Sequence, residues 1–121
     1  MERKPIKWLP STKEDLANLP EEVVDAIGFA LYQAQLGKKS DNAKPLQGFK
    51  SANVLEIVEY DSGGTYRAVY TVRFKEMIVV LHVFKKKSKQ GIVTPKQEID
   101  LSKARLKLAE QLYSEWARGK L

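Results

Sequence analysis

Apolar and polar positions along this chain follow two periods, and the places where the period changes mark its elements. Ile6, Trp8 and Leu9 make a short apolar run that Pro10 ends, which predicts a brief strand. Ser11-Thr12-Lys13-Glu14 has capping-box spacing: the Ser11 hydroxyl accepts from a first-turn N–H and Glu14 reaches back. A short helix with Leu16 and Leu19 is expected to follow. Pro20 restarts the chain at a first-turn position, and Glu21 and Glu22 complement the helix dipole. Val23, Ile27, Ala30, Leu31 and Ala34 recur at helical spacing, and Gly37 is a natural stop. The two segments read as a helical hairpin.

Residues 38–50 read as a polar connector with Pro45 and Gly48. Beyond it the period falls to two. Residues 53–60, 65–74 and 77–84 are rich in β-formers, separated by Asp61-Ser62-Gly63-Gly64 and by Lys75-Glu76. They predict a three-stranded antiparallel meander. Thr94 suits an N-cap, with Pro95 at N1 and Gln97 at N3, and Leu101, Ala104, Leu108, Leu112 and Trp116 give the following helix one stripe. The expected fold is α+β in one domain, residues 1–121: N-terminal strand, helical hairpin, meander and C-terminal helix.

Alternation assigns faces within the meander. Tyr66, Ala68, Tyr70, Val72 and Phe74 are expected to pack on the helices. Arg67 and Arg73 belong to the opposite face, which is expected to meet solvent or a ligand. His82, the sole histidine, is expected to share a side with Ile78, Val80 and Phe84. It reads either as a packed core residue or as a catalyst.

Charge sharpens this picture. The 121 residues carry a formal net charge of +6. Residues 67–89 alone hold seven basic side chains (Arg67, Arg73, Lys75, Lys85, Lys86, Lys87, Lys89) against Glu76, which is the same net +6. A cationic run either solubilises a loop or meets a polyanion. Its place after a strand, rather than on an amphipathic helix, favours phosphates over a membrane surface. Lys44 and Lys50 of the connector are candidates to reach the same region, and Phe49 between Gly48 and Lys50 offers a ring for stacking on a base. The chain has no cysteine, so disulfides, thiolate zinc sites and cysteine nucleophiles are excluded. No apolar run suits a bilayer span or a secretory signal, and a cytoplasmic location with no metal and no cofactor is expected.

The order of motifs resembles the RelE/ParE toxin superfamily, and within it the phage-derived HigB-like branch of type II toxin–antitoxin systems. The resemblance rests on Lys44-Pro45-Leu46-Gln47-Gly48-Phe49, Leu55-Glu56-Ile57, Gly64-Thr65-Tyr66-Arg67-Ala68-Val69-Tyr70, Leu81-His82-Val83-Phe84-Lys85-Lys86-Lys87 and Thr94-Pro95. It implies a metal-independent, ribosome-dependent mRNA endonuclease in which the 2′-OH of the substrate attacks the adjacent phosphate. It implies Arg67 at that phosphate, and Lys85, Lys86 and Lys87 as catalytic or RNA-contacting groups. Arg73, Lys87 and Lys89 join Lys44, Lys50 and Phe49 as expected RNA-binding residues. Val58 stands where several relatives carry a basic residue, and no tyrosine follows the cationic loop before Tyr113. His82, Lys85 and Lys86 are therefore the candidates for general base. The implied partners are mRNA on the ribosome and a helix-turn-helix antitoxin of the HigA type. A gyrase inhibitor of the ParE kind and a non-catalytic nucleic-acid-binding module are the alternatives. The nuclease reading requires Arg67 and the lysines to converge on one water-accessible hollow, and predicts that Arg67→Ala abolishes toxicity with the fold intact.

Overall fold

The computed structural model describes residues 3–51, 53–86 and 94–119. The chain runs β1 (Ile6–Trp8), α1 (Thr12–Ala17), α2 (Glu21–Gln35), β2 (Ala43–Pro45), β3 (Val54–Asp61), β4 (Gly64–Thr71), β5 (Ile78–Lys86) and α3 (Lys96–Arg118). The helical hairpin and the meander are as expected. The five strands form one sheet in the order β1-β5-β4-β3-β2. β1 lies parallel to β5, and the other pairs are antiparallel. The connector is not wholly irregular. Its residues 43–45 form the edge strand β2, where Lys44 pairs with Glu56.

Helices cover both faces. One core joins Leu16, Val23, Ile27 and Leu31 of α1 and α2 to Ile57, Tyr66, Ala68, Tyr70, Ile78 and Val80. The other sets Leu46, Val69, Met77, Val79 and Leu81 under Ala109, with Ile99, Leu106, Leu112, Tyr113 and Trp116 packed around it. The face expected to be wet is thus roofed by α3, and every residue of β4 is buried. A strand buried on both sides normally carries few polar groups; the site below shows how Arg67 is accommodated.

Three local expectations fail for identifiable reasons. β4 ends at Thr71, so Phe74 leaves the strand alternation and stacks on Tyr113 of α3, ring centroids 4.6 Å apart. β5 carries a β-bulge: Val69 pairs with His82, and Tyr70 with Val80. Leu81 is the extra residue, so His82 turns toward α3 while Ile78 and Val80 face the hairpin. Of its expected neighbours His82 keeps only Phe84, on which it stacks at 4.7 Å. The α3 stripe is also displaced. Leu101, Ala104 and Leu108 are exposed, and Ser102 and Ala109 are the buried positions.

Helix starts depart from the expected caps as well. Ser11 sits at φ 73°, and its hydroxyl bonds to the Asp15 carboxylate rather than to a backbone N–H. Pro20 and Pro95 occupy the N-cap positions of α2 and α3. Thr94, released from capping, uses its hydroxyl elsewhere. Gly37 ends α2 at φ 82°, in the left-handed region that glycine tolerates.

Candidate functional site

Arg67 lies in the middle of β4, and its side chain points into the layer between sheet and α3. It is 0% exposed. Its Nη1 is 3.0 Å from Oε2 of Glu56, on the neighbouring strand, and donates to the Thr94 hydroxyl at 2.9 Å. That hydroxyl in turn donates to the same Glu56 oxygen. Glu56 is 1% exposed. Among the described residues the three groups form one buried unit. A buried carboxylate is tolerated because a guanidinium and a hydroxyl replace its water.

A second polar unit lies beside it. His82 Nε2 is 2.9 Å from Oε1 of Glu98, and Nδ1 is 3.1 Å from Nη1 of Arg105. Arg105 also donates to the carbonyl of Leu81, the bulged residue, at 3.0 Å. A guanidinium can only donate, so Nδ1 must be the acceptor nitrogen. The proton then sits on Nε2 and is donated to Glu98. The lone pair of Nδ1 is thus already occupied. In this arrangement His82 has no free nitrogen with which to take a proton from a substrate.

The cationic residues do not form one patch. Lys85 pairs with Tyr66, and its ammonium lies 5.4 Å from that ring, on the hairpin side of the sheet. Lys86 pairs with Thr65, on the side of Arg67. The expectation that Arg67 and the lysines share one open hollow is therefore corrected: Arg67 is sealed, and Lys85 and Lys86 leave β5 on opposite faces. Lys87 and Lys89 lie outside the described residues. Lys44, exposed on edge strand β2, stands in the same cross-sheet row as Glu56, Val69 and His82.

Three of the expected RNA-binding residues do come together. Phe49, Lys50 and Arg73 line one open cleft of about 430 Å³ with Ser51, Asn53, Val54 and Leu106. Lys103 of α3 adds a fourth cationic or aromatic group, its ammonium 5.8 Å from the Phe49 ring. Arg73 is ion-paired with Glu110, both side chains being substantially exposed. Gly48 shapes this cleft. It has φ +92°, and a Cβ there would come within 3.0 Å of Ile99 Cγ2, so the connector can lie close against α3 only with glycine. The cleft lies at the end of β4, beside Val54, which pairs with Thr71, and Arg67 is not among its lining residues.

Sequence reasoning missed Glu56, Thr94, Glu98 and Arg105. Glu56 stood in the right alternation to meet Arg67. Nothing in the pattern showed that α3 would bring Thr94, Glu98 and Arg105 over that face. Among the described residues no group of three His, Cys, Asp or Glu side chains is placed to hold a metal ion. No described helix is long and apolar enough to cross a membrane.

A mixed sheet with a helical hairpin on one face, and a long helix sealing a polar layer on the other, defines an α+β domain of the kind anticipated. Residues 14–107 match the family described as phage derived protein Gp49-like (DUF891), and the chain belongs to that family. Among solved structures it is similar to a chain of the toxin-antitoxin complex RelBE2 from Mycobacterium tuberculosis. The identity is 20%, the match covers 73% of this chain and 97% of that one, and the TM-score is 0.47. No curated protein gives a significant match.

Proposed function

We propose that the chain is the toxin of a type II toxin–antitoxin system, of the RelE/ParE superfamily and its HigB-like branch. It acts in the cytoplasm as a ribosome-dependent mRNA endonuclease, with a HigA-type antitoxin as its protein partner. Membership in the phage-derived Gp49-like family and the motif order from Lys44 to Pro95 support this reading. The observation that carries RNA as the target is the cleft where Phe49, Lys50, Arg73 and Lys103 meet. An aromatic ring with cationic side chains around it suits a single strand with its bases unstacked.

Cleavage by 2′-OH attack would need a group to orient the phosphate and others to move protons. Arg67 remains the proposed phosphate ligand, with Lys85, Lys86 and His82 as proton-transfer candidates. Arg67 and His82 can serve only if Thr94 and the first turns of α3 withdraw, because both are occupied beneath it. Mapping 5′ ends of cellular mRNA after induction tests the proposal. Cuts confined to translated messages support it; intact messages in arrested cells reject it.

The sealed Arg67 also gives specific weight to a second reading, a ParE-like inhibitor of DNA gyrase that cuts no RNA. DNA-damage signalling without mRNA fragments would select that reading.

A further inference from the structure

The opposite side of the sheet holds a second cavity, of about 380 Å³, between the end of α2 and the β3–β4 pair. Its floor is aliphatic: Ala34, Leu55 and Val72. Its rim is cationic: Lys4, Lys38 and Lys39, with no acidic side chain lining it among the described residues. Lys39 donates to the Ala43 carbonyl at 2.9 Å, which holds that part of the rim in place. Tyr70 also lines the cavity, although the residue is only 1% exposed. Its hydroxyl has no hydrogen-bond partner among the described residues. Burial raises its pKa to about 12, so the hydroxyl stays a donor at neutral pH.

The Tyr70 hydroxyl is not among the buried polar atoms left without a partner, so it reaches the opening, where it can donate to an occupant. A group that accepts from this hydroxyl and also complements three ammonium neighbours is best matched by an anion. The aliphatic floor asks for an apolar group next to that anion. A nucleobase fits poorly, because the only ring in the cavity lies buried and offers no face for stacking. We propose that this cavity is a docking site for an acidic peptide segment of a protein partner. An aliphatic side chain would rest on Leu55 and Val72, and a carboxylate would be held by Lys4, Lys38 and the Tyr70 hydroxyl. The site is separate from the RNA cleft and does not depend on nuclease activity.

The test is an NMR titration of the full chain with the peptide acetyl-Glu-Leu-Glu-Glu-amide, with its all-Gln counterpart, and with adenosine 5′-monophosphate. The acidic peptide is expected to give saturable shifts at Lys38, Leu55, Tyr70 and Val72, and the Gln peptide to bind markedly more weakly. Tyr70→Phe, which removes only the donor, should weaken the peptide about fivefold. Lys38→Glu, at an exposed position, should weaken it at least as much, and neither change should alter RNA binding at the Phe49 cleft. Absent or non-saturating shifts, equal binding of the Gln peptide, or stronger binding of the nucleotide would each overturn the proposal.

Discussion

The Thr94 hydroxyl accepts a hydrogen bond from the Arg67 guanidinium at 2.9 Å and passes one on to Glu56, so the start of α3 is tied to the centre of the sheet. Thr94 is one of the groups that cover the buried arginine. Replacing Thr94 with valine keeps the shape and removes both bonds. It should cost about 1–3 kcal/mol in urea unfolding, since two buried partners lose a neighbour. Amide exchange should quicken first at Glu98 and Ile99, next to the lost tie. Unchanged exchange there would show that Thr94 does not anchor the helix.

Arg67→Ala should destabilise the fold by about 3–5 kcal/mol, because it strands a buried Glu56 carboxylate. This revises the sequence-based expectation of an inactive but intact variant: loss of toxicity in Arg67→Ala alone would not separate catalysis from stability. The pair Arg67→Met with Glu56→Leu removes both charges and should recover most of the lost stability. A double variant less stable than Arg67→Ala would contradict the ion-pair account.

His82 is expected to appear in nitrogen NMR with its proton on Nε2 and with Nδ1 as the acceptor. Arg105 and Glu98 together dictate this. Arg105→Ala should free Nδ1, and the tautomer preference should then weaken. If the wild-type spectrum shows the proton on Nδ1, the hydrogen-bond assignment is wrong.

Tyr70 predicts how the protein meets alkali. Burial holds its phenol at about 12 when folded, against 10 when unfolded. Between those values the unfolded chain has released its proton and the folded chain has not, so stability falls as pH rises from 10 to 12. The contribution is on the order of 2 kcal/mol. Tyr70→Phe should flatten that part of the curve without shifting stability at neutral pH by a comparable amount. Parallel curves for the two proteins would refute the assignment.

RNA affinity should respond to the cleft residues one charge at a time. Lys50→Ala and Arg73→Ala should each lower the salt slope of single-stranded RNA binding by about one. Glu110→Gln releases Arg73 from its exposed partner and should raise affinity, by no more than about fivefold. A fall in affinity on that substitution would mean that Glu110 positions Arg73 rather than competing with RNA.

Much of the architecture was legible in the chain because the hairpin and the meander are built from clean periods. Val23, Ile27, Ala30, Leu31 and Ala34 are all buried as their spacing requires. The α3 interface was not legible, and the reason is chemical. The sheet face beneath it presents Glu56, Arg67 and His82, so the helix meets it partly with Glu98, Ser102 and Arg105. A search for apolar spacing passes over such a face and selects Leu101 and Leu108, which are exposed. The site was half legible. Phe49, Lys50 and Arg73 share a cleft, whereas the sealing of Arg67 depends on Thr94, 27 positions away.

The bulge at Leu81 works as a phase shifter for everything downstream in β5. It sends Lys85 to one side of the sheet and Lys86 to the other, and it gives Arg105 a carbonyl to grip. Because Leu81 is the surplus residue, deleting it would leave Val69 opposite His82 and Tyr70 opposite Val80, so His82, Lys85 and Lys86 would keep their sides and Arg105 would lose the carbonyl it grips. The sheet thus absorbs one surplus residue without altering its register on either side, and a homologous chain lacking it would keep the same faces while losing that anchor for the last helix.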